Sequence, residues 1–170
     1  MRKTLLATVL AISVIFPATA APTPMLLDDF GAWQAYTYDE DGAKVCFMST
    51  QPEKQESSVA TAKRGKAYVY VTHRAGEDSK NVITVSAGYP FDKQKGATLK
   101  VDGQSYTLFA DGERAWAQGQ SADDAIASAI QKGKALVVTG TSARGTETTD
   151  TYSLKGSGEA YKAITKACTK

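Results

Sequence analysis

From Ala67 to Arg74 the chain alternates without a break. Ala67, Val69, Val71 and His73 fall on one side, and Tyr68, Tyr70, Thr72 and Arg74 on the other. Successive side chains of a strand point to opposite faces, so this period of two reads as a strand with one side buried. Asn81 to Tyr89 repeats the pattern with Ile83, Val85, Ala87 and Tyr89. Asp-Gly pairs punctuate the rest. Asp41-Gly42 separates Trp33–Tyr38 from Lys44–Met48, Asp102-Gly103 separates Thr98–Val101 from Ser105–Ala110, and Asp111-Gly112 precedes Ala115-Trp116-Ala117. Asp-Gly between β-prone runs marks a two-residue hairpin, because the turn that matches strand twist needs positive φ. Ala135–Thr139 and Thr146–Leu154 add two further strands. Short strands at this spacing predict an all-β chain, an antiparallel β-sandwich.

Two short helices accompany the strands. Ser121 fits an N-cap, Asp123 and Asp124 suit the positive end of a helix, and Ala122, Ile126, Ala129 and Ile130 share a face. Gly133 fits the left-handed residue that stops it. A C-terminal helix starts from a Ser157 cap. Its Tyr161, Ile164 and Cys168 lie on one face, which would bring Cys168 to the strand carrying Cys46. Thr50 to Gly65 is polar and aperiodic and reads as a long loop. No internal repeat or second domain is visible.

The N-terminus reads as an export signal. Arg2 and Lys3 precede the uncharged run Leu5 to Phe16, which is shorter than the about 20 residues of a spanning helix. Pro17 follows, then Ala18-Thr19-Ala20, a small-residue cleavage site. The expected organisation is a signal peptide at 1–20, a leader at 21–32 and one domain at 33–170. Cleavage removes two of the 20 basic residues and none of the 18 acidic ones, leaving the signs balanced. Balanced charge argues against a nucleic-acid partner, and no second long apolar run suggests an integral membrane segment. The expected location is the periplasm or the outer envelope. There Cys46 and Cys168 form an even pair in an oxidising compartment, where a disulfide is the default. Closing so long a loop is worth about 5 kcal/mol in the chain-entropy model.

Motifs for chemistry are sparse. Gly140 to Gly145 has the wrong spacing for a nucleophile elbow, and the single His, His73, belongs to the alternating strand on the side of Val69 and Val71. His73 therefore reads as structural. No two of Cys46, His73 and Cys168 have zinc-ligand spacing, and Asp39-Glu40-Asp41 lacks the further ligands of a calcium loop. Nothing calls for a cofactor, a metal or a catalytic residue set. Tyr36 and Tyr38 share one face, as do Tyr68 and Tyr70; these read as sheet packing, with a sugar-binding platform as the alternative. Lys63, Arg64 and Lys66, and again Lys93 and Lys95, read as solvated loops, with a patch for an acidic surface as the alternative.

Taken in order, several blocks resemble one family. Trp33 with Ala35-Tyr36 and Lys44-Val45-Cys46-Phe47 resemble the opening of the invasion-associated locus B family. Asn81-Val82-Ile83 with Gly88-Tyr89-Pro90-Phe91 resembles its centre, and Asp111-Gly112-Glu113-Arg114-Ala115-Trp116-Ala117 follows. Ser142-Ala143-Arg144-Gly145-Thr146, Asp150-Thr151-Tyr152-Ser153-Leu154 and Ala167-Cys168 close the match. The resemblance implies an immunoglobulin-like β-sandwich exported by Gram-negative bacteria, with Cys46 and Cys168 as its cysteine pair. It carries no catalytic residues. Arg144, Gly145 and Thr146 match its R-G-T motif; Gly145 suits a turn of positive φ, and Arg144 reads as a structural partner rather than an exposed contact. The function expected is that of a non-enzymatic envelope protein working through protein or surface contacts, with an envelope or host-surface partner. The alternatives are a glycan- or small-ligand-binding module and a hydrolase with dispersed carboxylates.

Overall fold

The computed structural model describes residues 22–76 and 79–169; the predicted export signal at 1–20 lies outside them. Among the described residues, eleven strands and two helices follow the chain. They are β1 (Met25–Phe30), β2 (Trp33–Glu40), β3 (Ala43–Thr50), β4 (Lys54–Ser57), β5 (Tyr68–Arg74), β6 (Val82–Ser86), β7 (Ala97–Val101), β8 (Gln104–Asp111) and β9 (Arg114–Trp116). After them come α1 (Gln120–Lys132), β10 (Ala135–Thr141), β11 (Glu147–Ser153) and α2 (Ser157–Cys168). The chain is mainly antiparallel β, with its second helix at the C-terminus.

The Asp-Gly signals act as the sequence indicated. Asp41 and Gly42 take φ of 52° and 82° between β2 and β3, and Asp102 and Gly103 take 45° and 97° between β7 and β8. The third turn sits one residue later than expected. Asp111 pairs with Arg114, so the loop is Gly112-Glu113.

The strands form one continuous order, β1-β2-β3-β5-β6-β9-β8-β7-β10-β11-β4. β8 is the bridge: Gln104 to Leu108 pair with β7, and Phe109 to Asp111 pair with β9. Val69, Val71, Ile83 and Met48 from one half share a single core with Leu99, Leu108, Leu136 and Tyr152 from the other, and with Ile126, Ile130, Ala160 and Ile164 of the helices. β5 shows the predicted alternation, with Val69, Val71 and His73 buried between half-exposed neighbours.

Three segments differ from the sequence reading. Asn81–Tyr89, read as one strand, is strand only over Val82–Ser86, because Asn81 and Gly88 on either side take positive φ of 62° and 73°. Met25–Phe30, read as leader, is β1 and pairs with β2. Lys54–Ser57, read as loop, is edge strand β4 on β11. All four of its side chains are exposed. Its order comes from backbone hydrogen bonds, so no hydrophobic period could announce it.

The helix ends also differ. α1 starts after Gly119 at φ 87°, with Ser121 inside the first turn and no side-chain cap. Gln120 instead anchors that turn, its amide donating to the Lys80 carbonyl at 2.7 Å. Gly133 is extended, at φ −78°, rather than left-handed. The glycine is there for space instead: a Cβ would lie 2.6 Å from Val101 Cγ1 and 2.8 Å from Leu154 Cδ1. α2 is preceded by left-handed Gly156, and Ser157 is its first residue. The Ser157 hydroxyl is diverted to the Ile130 carbonyl at 2.7 Å, tying α2 to the end of α1. Gly156 is needed for close approach as well as for its φ of 89°, since a Cβ would sit 1.8 Å from the Phe30 carbonyl oxygen. Around that contact Ala32 N–H donates to Lys155 O at 3.0 Å, and Trp33 Nε1–H donates to Ser153 O at 3.0 Å.

Cys46 on β3 is bonded to Cys168, the last residue of α2, across 122 positions and a Cα–Cα distance of 5.9 Å. A three-turn helix is marginal alone and needs tertiary anchoring. Cys46→Ser and Cys168→Ser are each expected to destabilise the fold by about 2–5 kcal/mol, and the double variant no more than the singles, because all three lack the same bond. Urea melts read this out. Thiol titration of the unfolded, unreduced protein should find no free thiol, and finding two would overturn the pairing.

Candidate functional site

Period-two alternation gives the half-sheet β2-β3-β5-β6-β9 two different faces. Inward residues of β2 and β3, including Ala35, Cys46 and Met48, are fully buried. Because Cys46 points inward and carries α2, the helix covers that inner face, where Ala160 and Ile164 are buried. The outer face carries Tyr36 and Tyr38 of β2, Phe47 of β3, Tyr68 and Tyr70 of β5, and Arg114 and Trp116 of β9. Register sets Tyr36 opposite Phe47, Tyr38 opposite Val45 and Tyr70 opposite Thr84.

The rings form a chain across three strands. Tyr36 stacks on Phe47 at 5.0 Å between centroids, Phe47 meets Tyr70 at 6.1 Å, and Tyr70 stacks on Tyr68 at 5.5 Å. Beyond them Trp116 stacks on Phe109 of β8 at 5.5 Å. The four tyrosines are half-buried, and Phe109 is 48% exposed. A groove of about 470 Å³ crosses this face, bordered by Tyr38, Phe47, Tyr70, Arg74, Arg114 and Trp116. Burial, helped by neighbouring Tyr68, raises the Tyr70 pKa, so its hydroxyl stays protonated and able to donate. Arg74 is ion-paired with Glu40 of the acidic run at the β2–β3 turn. Both sequence-level tyrosine pairs therefore meet on one surface, joined by Phe47.

The R-G-T residues lie elsewhere, in the β10–β11 hairpin. The Ser142 hydroxyl accepts from Arg144 N–H at 3.3 Å and Thr146 N–H at 3.1 Å, and Gly145 takes φ +83°. Ala143 N–H donates to Pro90 O at 2.8 Å, joining the hairpin to the Gly88–Phe91 block. Contrary to the structural reading, the Arg144 side chain is exposed; the structural partner is Arg64. That arginine enters from the loop before β5, forms an ion pair with buried Asp150, and lies 5.6 Å over the Tyr89 ring. Burial raises the Asp150 pKa, and Arg64 offsets only part of that rise. Tyr89 Oη and Thr148 Oγ1 share a 2.5 Å hydrogen bond. A cleft of about 280 Å³ remains between the loop and the hairpin. The residues were each visible in the sequence, but their meeting was not, since Arg64, Tyr89 and the hairpin carrying Arg144 and Asp150 lie on three separate segments.

Of the other basic residues, Lys66 and Lys95 are exposed, and Lys93 makes an exposed ion pair with Asp111 at 2.5 Å. His73 sits in the core, 4% exposed.

The sequence profile of invasion associated locus B (IalB) protein matches residues 33–165. The chain belongs to this family. A solved structure, the crystal structure of invasion associated protein B from Bartonella henselae, aligns with a TM-score of 0.57 at 18% identity. The alignment covers 84% of this chain and 96% of that one, and the two share a fold. No curated protein matches the chain. In this IalB-family chain the match starts at Trp33, so β1 lies before it, while the aromatic face and the R-G-T hairpin both lie within it.

His73 is fixed as a neutral ring. Its Nδ1 accepts from Asn81 N–H at 3.1 Å, so the proton is on Nε2, 3.2 Å from Thr165 Oγ1. Burial lowers its pKa. Below the unfolded value of about 6.5 the unfolded chain binds the proton more readily than the folded one. The stability that neutral His73 contributes is complete above about pH 6.5 and is lost as pH falls from there toward the lowered folded pKa. Comparing melting temperatures of the wild type and His73→Gln from pH 7.5 to 5 should show the smaller loss in the variant. Terms from Asp123 and Asp150, common to both proteins, cancel in the difference. Identical slopes would contradict the neutral buried ring.

Proposed function

We propose that this chain is an exported, non-enzymatic envelope protein that works by contact, and that the outer aromatic face is its contact surface. The observation that carries the reading is that α2 covers the inner face of the half-sheet, while among the described residues no helix lies over the outer face with Tyr36, Phe47, Tyr70, Tyr68, Trp116 and Phe109, whose groove is bordered at one end by Pro22 and Pro24. Tyr and Trp rings offer large apolar area with few rotatable bonds and a polar edge, which makes them strong contact residues. The name of the family adds support for a partner on the envelope or on a host-cell surface. Export to the periplasm is supported by the Arg2-Lys3 start, the short apolar run and the Ala18-Thr19-Ala20 site, and by a disulfide that needs an oxidising compartment.

A second reading follows from the hydroxyls. Four tyrosines and Arg114 beside stacked rings could hold a glycan, whose C–H faces lie on aromatic rings while its hydroxyls take hydrogen bonds. The partner test uses the mature protein on a resin with solubilised envelope and host-membrane fractions, beside a neutral glycan array. The double variant Tyr36→Ser/Tyr70→Ser should lose at least ten-fold in retention of the partner that the wild type captures, with His73→Gln unchanged. Equal capture by the aromatic variant would exclude this face. Array binding lost in the same variant would select the glycan reading. For export, mass spectrometry of the periplasmic fraction should find a chain beginning at Ala21; Met1 retained on a membrane-bound protein would overturn it.

A further inference from the structure

The cleft between the 58–67 loop and the R-G-T hairpin is separate from the aromatic face, and its lining is one-sided in charge. Lys63, Arg64 and Arg144 border it, and no carboxylate does. Arg64 is neutralised from beneath by Asp150 and held in place by the Tyr89 ring. Lys63 and Arg144 have no ion-pair partner among the described residues. Two uncompensated cations thus face one small enclosure above a neutral floor.

The hydroxyls are arranged to donate. Ser142 Oγ already accepts two backbone N–H groups, from Arg144 and Thr146, which leaves its O–H free to give. Thr146, the last residue of the motif, lines the same wall. Lys63 comes from one side, and Arg144 with these two hydroxyls from the other. Donors on two sides suit the three terminal oxygens of a phosphoryl or sulfuryl group better than the two coplanar oxygens of a carboxylate. The volume of about 280 Å³ exceeds what a bare tetrahedral ion fills. It lies just below the about 300 Å³ at which drug-sized ligand sites start, which suits a smaller ligand. Tyr89, Pro90 and Ala143 on the remaining wall leave room for a body of about monosaccharide size.

We propose that this cleft binds a small phosphate or sulfate monoester of sugar size, with Lys63, Arg144 and the Ser142 and Thr146 hydroxyls on the oxyanion and Arg64–Asp150 as its rigid floor. The R-G-T motif then has a role: Gly145 closes the hairpin that brings Arg144 and Thr146 to one rim.

The test is calorimetry and amide chemical-shift titration of the mature protein with glucose 6-phosphate, N-acetylglucosamine 6-sulfate, inorganic phosphate and uncharged glucose. One of the two esters should bind and shift amides of residues 62–65 and 142–148, inorganic phosphate should bind more weakly, and glucose should not bind. Arg144→Gln and Lys63→Gln should each weaken the ester at least ten-fold and together abolish it. Both side chains are exposed, so the variants should keep the wild-type melting temperature and spectrum. Tyr36→Ser/Tyr70→Ser should bind the ester normally, which separates this site from the aromatic face. The proposal is overturned if neither ester shifts those amides, if glucose binds as well as its phosphate, or if binding survives the folded Lys63→Gln/Arg144→Gln double variant.

Discussion

The bond between Cys46 and Cys168 decides which side of the sheet is covered. Cys46 points inward from β3, so a helix ending in Cys168 must lie on the inner face. α2 then buries Ala160 and Ile164 against the first strands, and its Ser157 hydroxyl holds the end of α1. With both helices drawn to that side, the aromatic rings of β2, β3 and β5 pack on one another along a groove that Arg114, Trp116 and the N-terminal Pro22 and Pro24 also border. The face proposed as a contact surface is thus a consequence of where one covalent bond puts a helix.

A polar cluster reinforces the same placement. Asn81, at the unusual φ of 62°, joins four segments. Its N–H reaches His73, its Nδ2 donates to Asp124 of α1 at 2.6 Å, and its Oδ1 accepts from Tyr161 of α2 at 2.6 Å. Asp123 beside it accepts the Ile83 N–H at 2.8 Å. Buried polar groups without partners are costly, so a set this well paired specifies one arrangement of the two helices over β5 and β6. The single His of the chain belongs to this cluster, which gives it a structural reason to exist.

Much of this was legible in advance where a local rule dominates. The alternation of β5 and β6 named the buried side correctly, because burial on one face of a strand imposes a period of two. The Asp-Gly hairpins formed where φ had to be positive. Reading failed where the determinant was a distant neighbour. β1 and β4 gain order by pairing with strands already present. Ser121 and Ser157 have the chemistry of caps, yet glycines take those positions: Gly119 stands at φ 87°, and at Gly156 the Phe30 carbonyl leaves no room for a Cβ while the Ser157 hydroxyl has a tertiary acceptor. Arg144 looked structural from its motif, but the structural arginine is Arg64, which read as part of a solvated basic loop and is instead ion-paired with buried Asp150.

By itself the sequence determined the strand-rich class, the two helices, the inward and outward residues of the central strands, and the two cysteines able to pair. These follow from interactions between residues close in the chain, or from composition and compartment. Only the tertiary structure decided that Tyr36, Phe47, Tyr70 and Tyr68 form one continuous surface, and that Lys63, Arg64, Tyr89 and Arg144 surround one cleft. Both depend on strand order, β2 beside β3 beside β5, and on the return of β10 and β11 to the Gly88–Phe91 segment. Strand order is set by the burial of one shared core rather than by any local preference, so no window along the chain contains it.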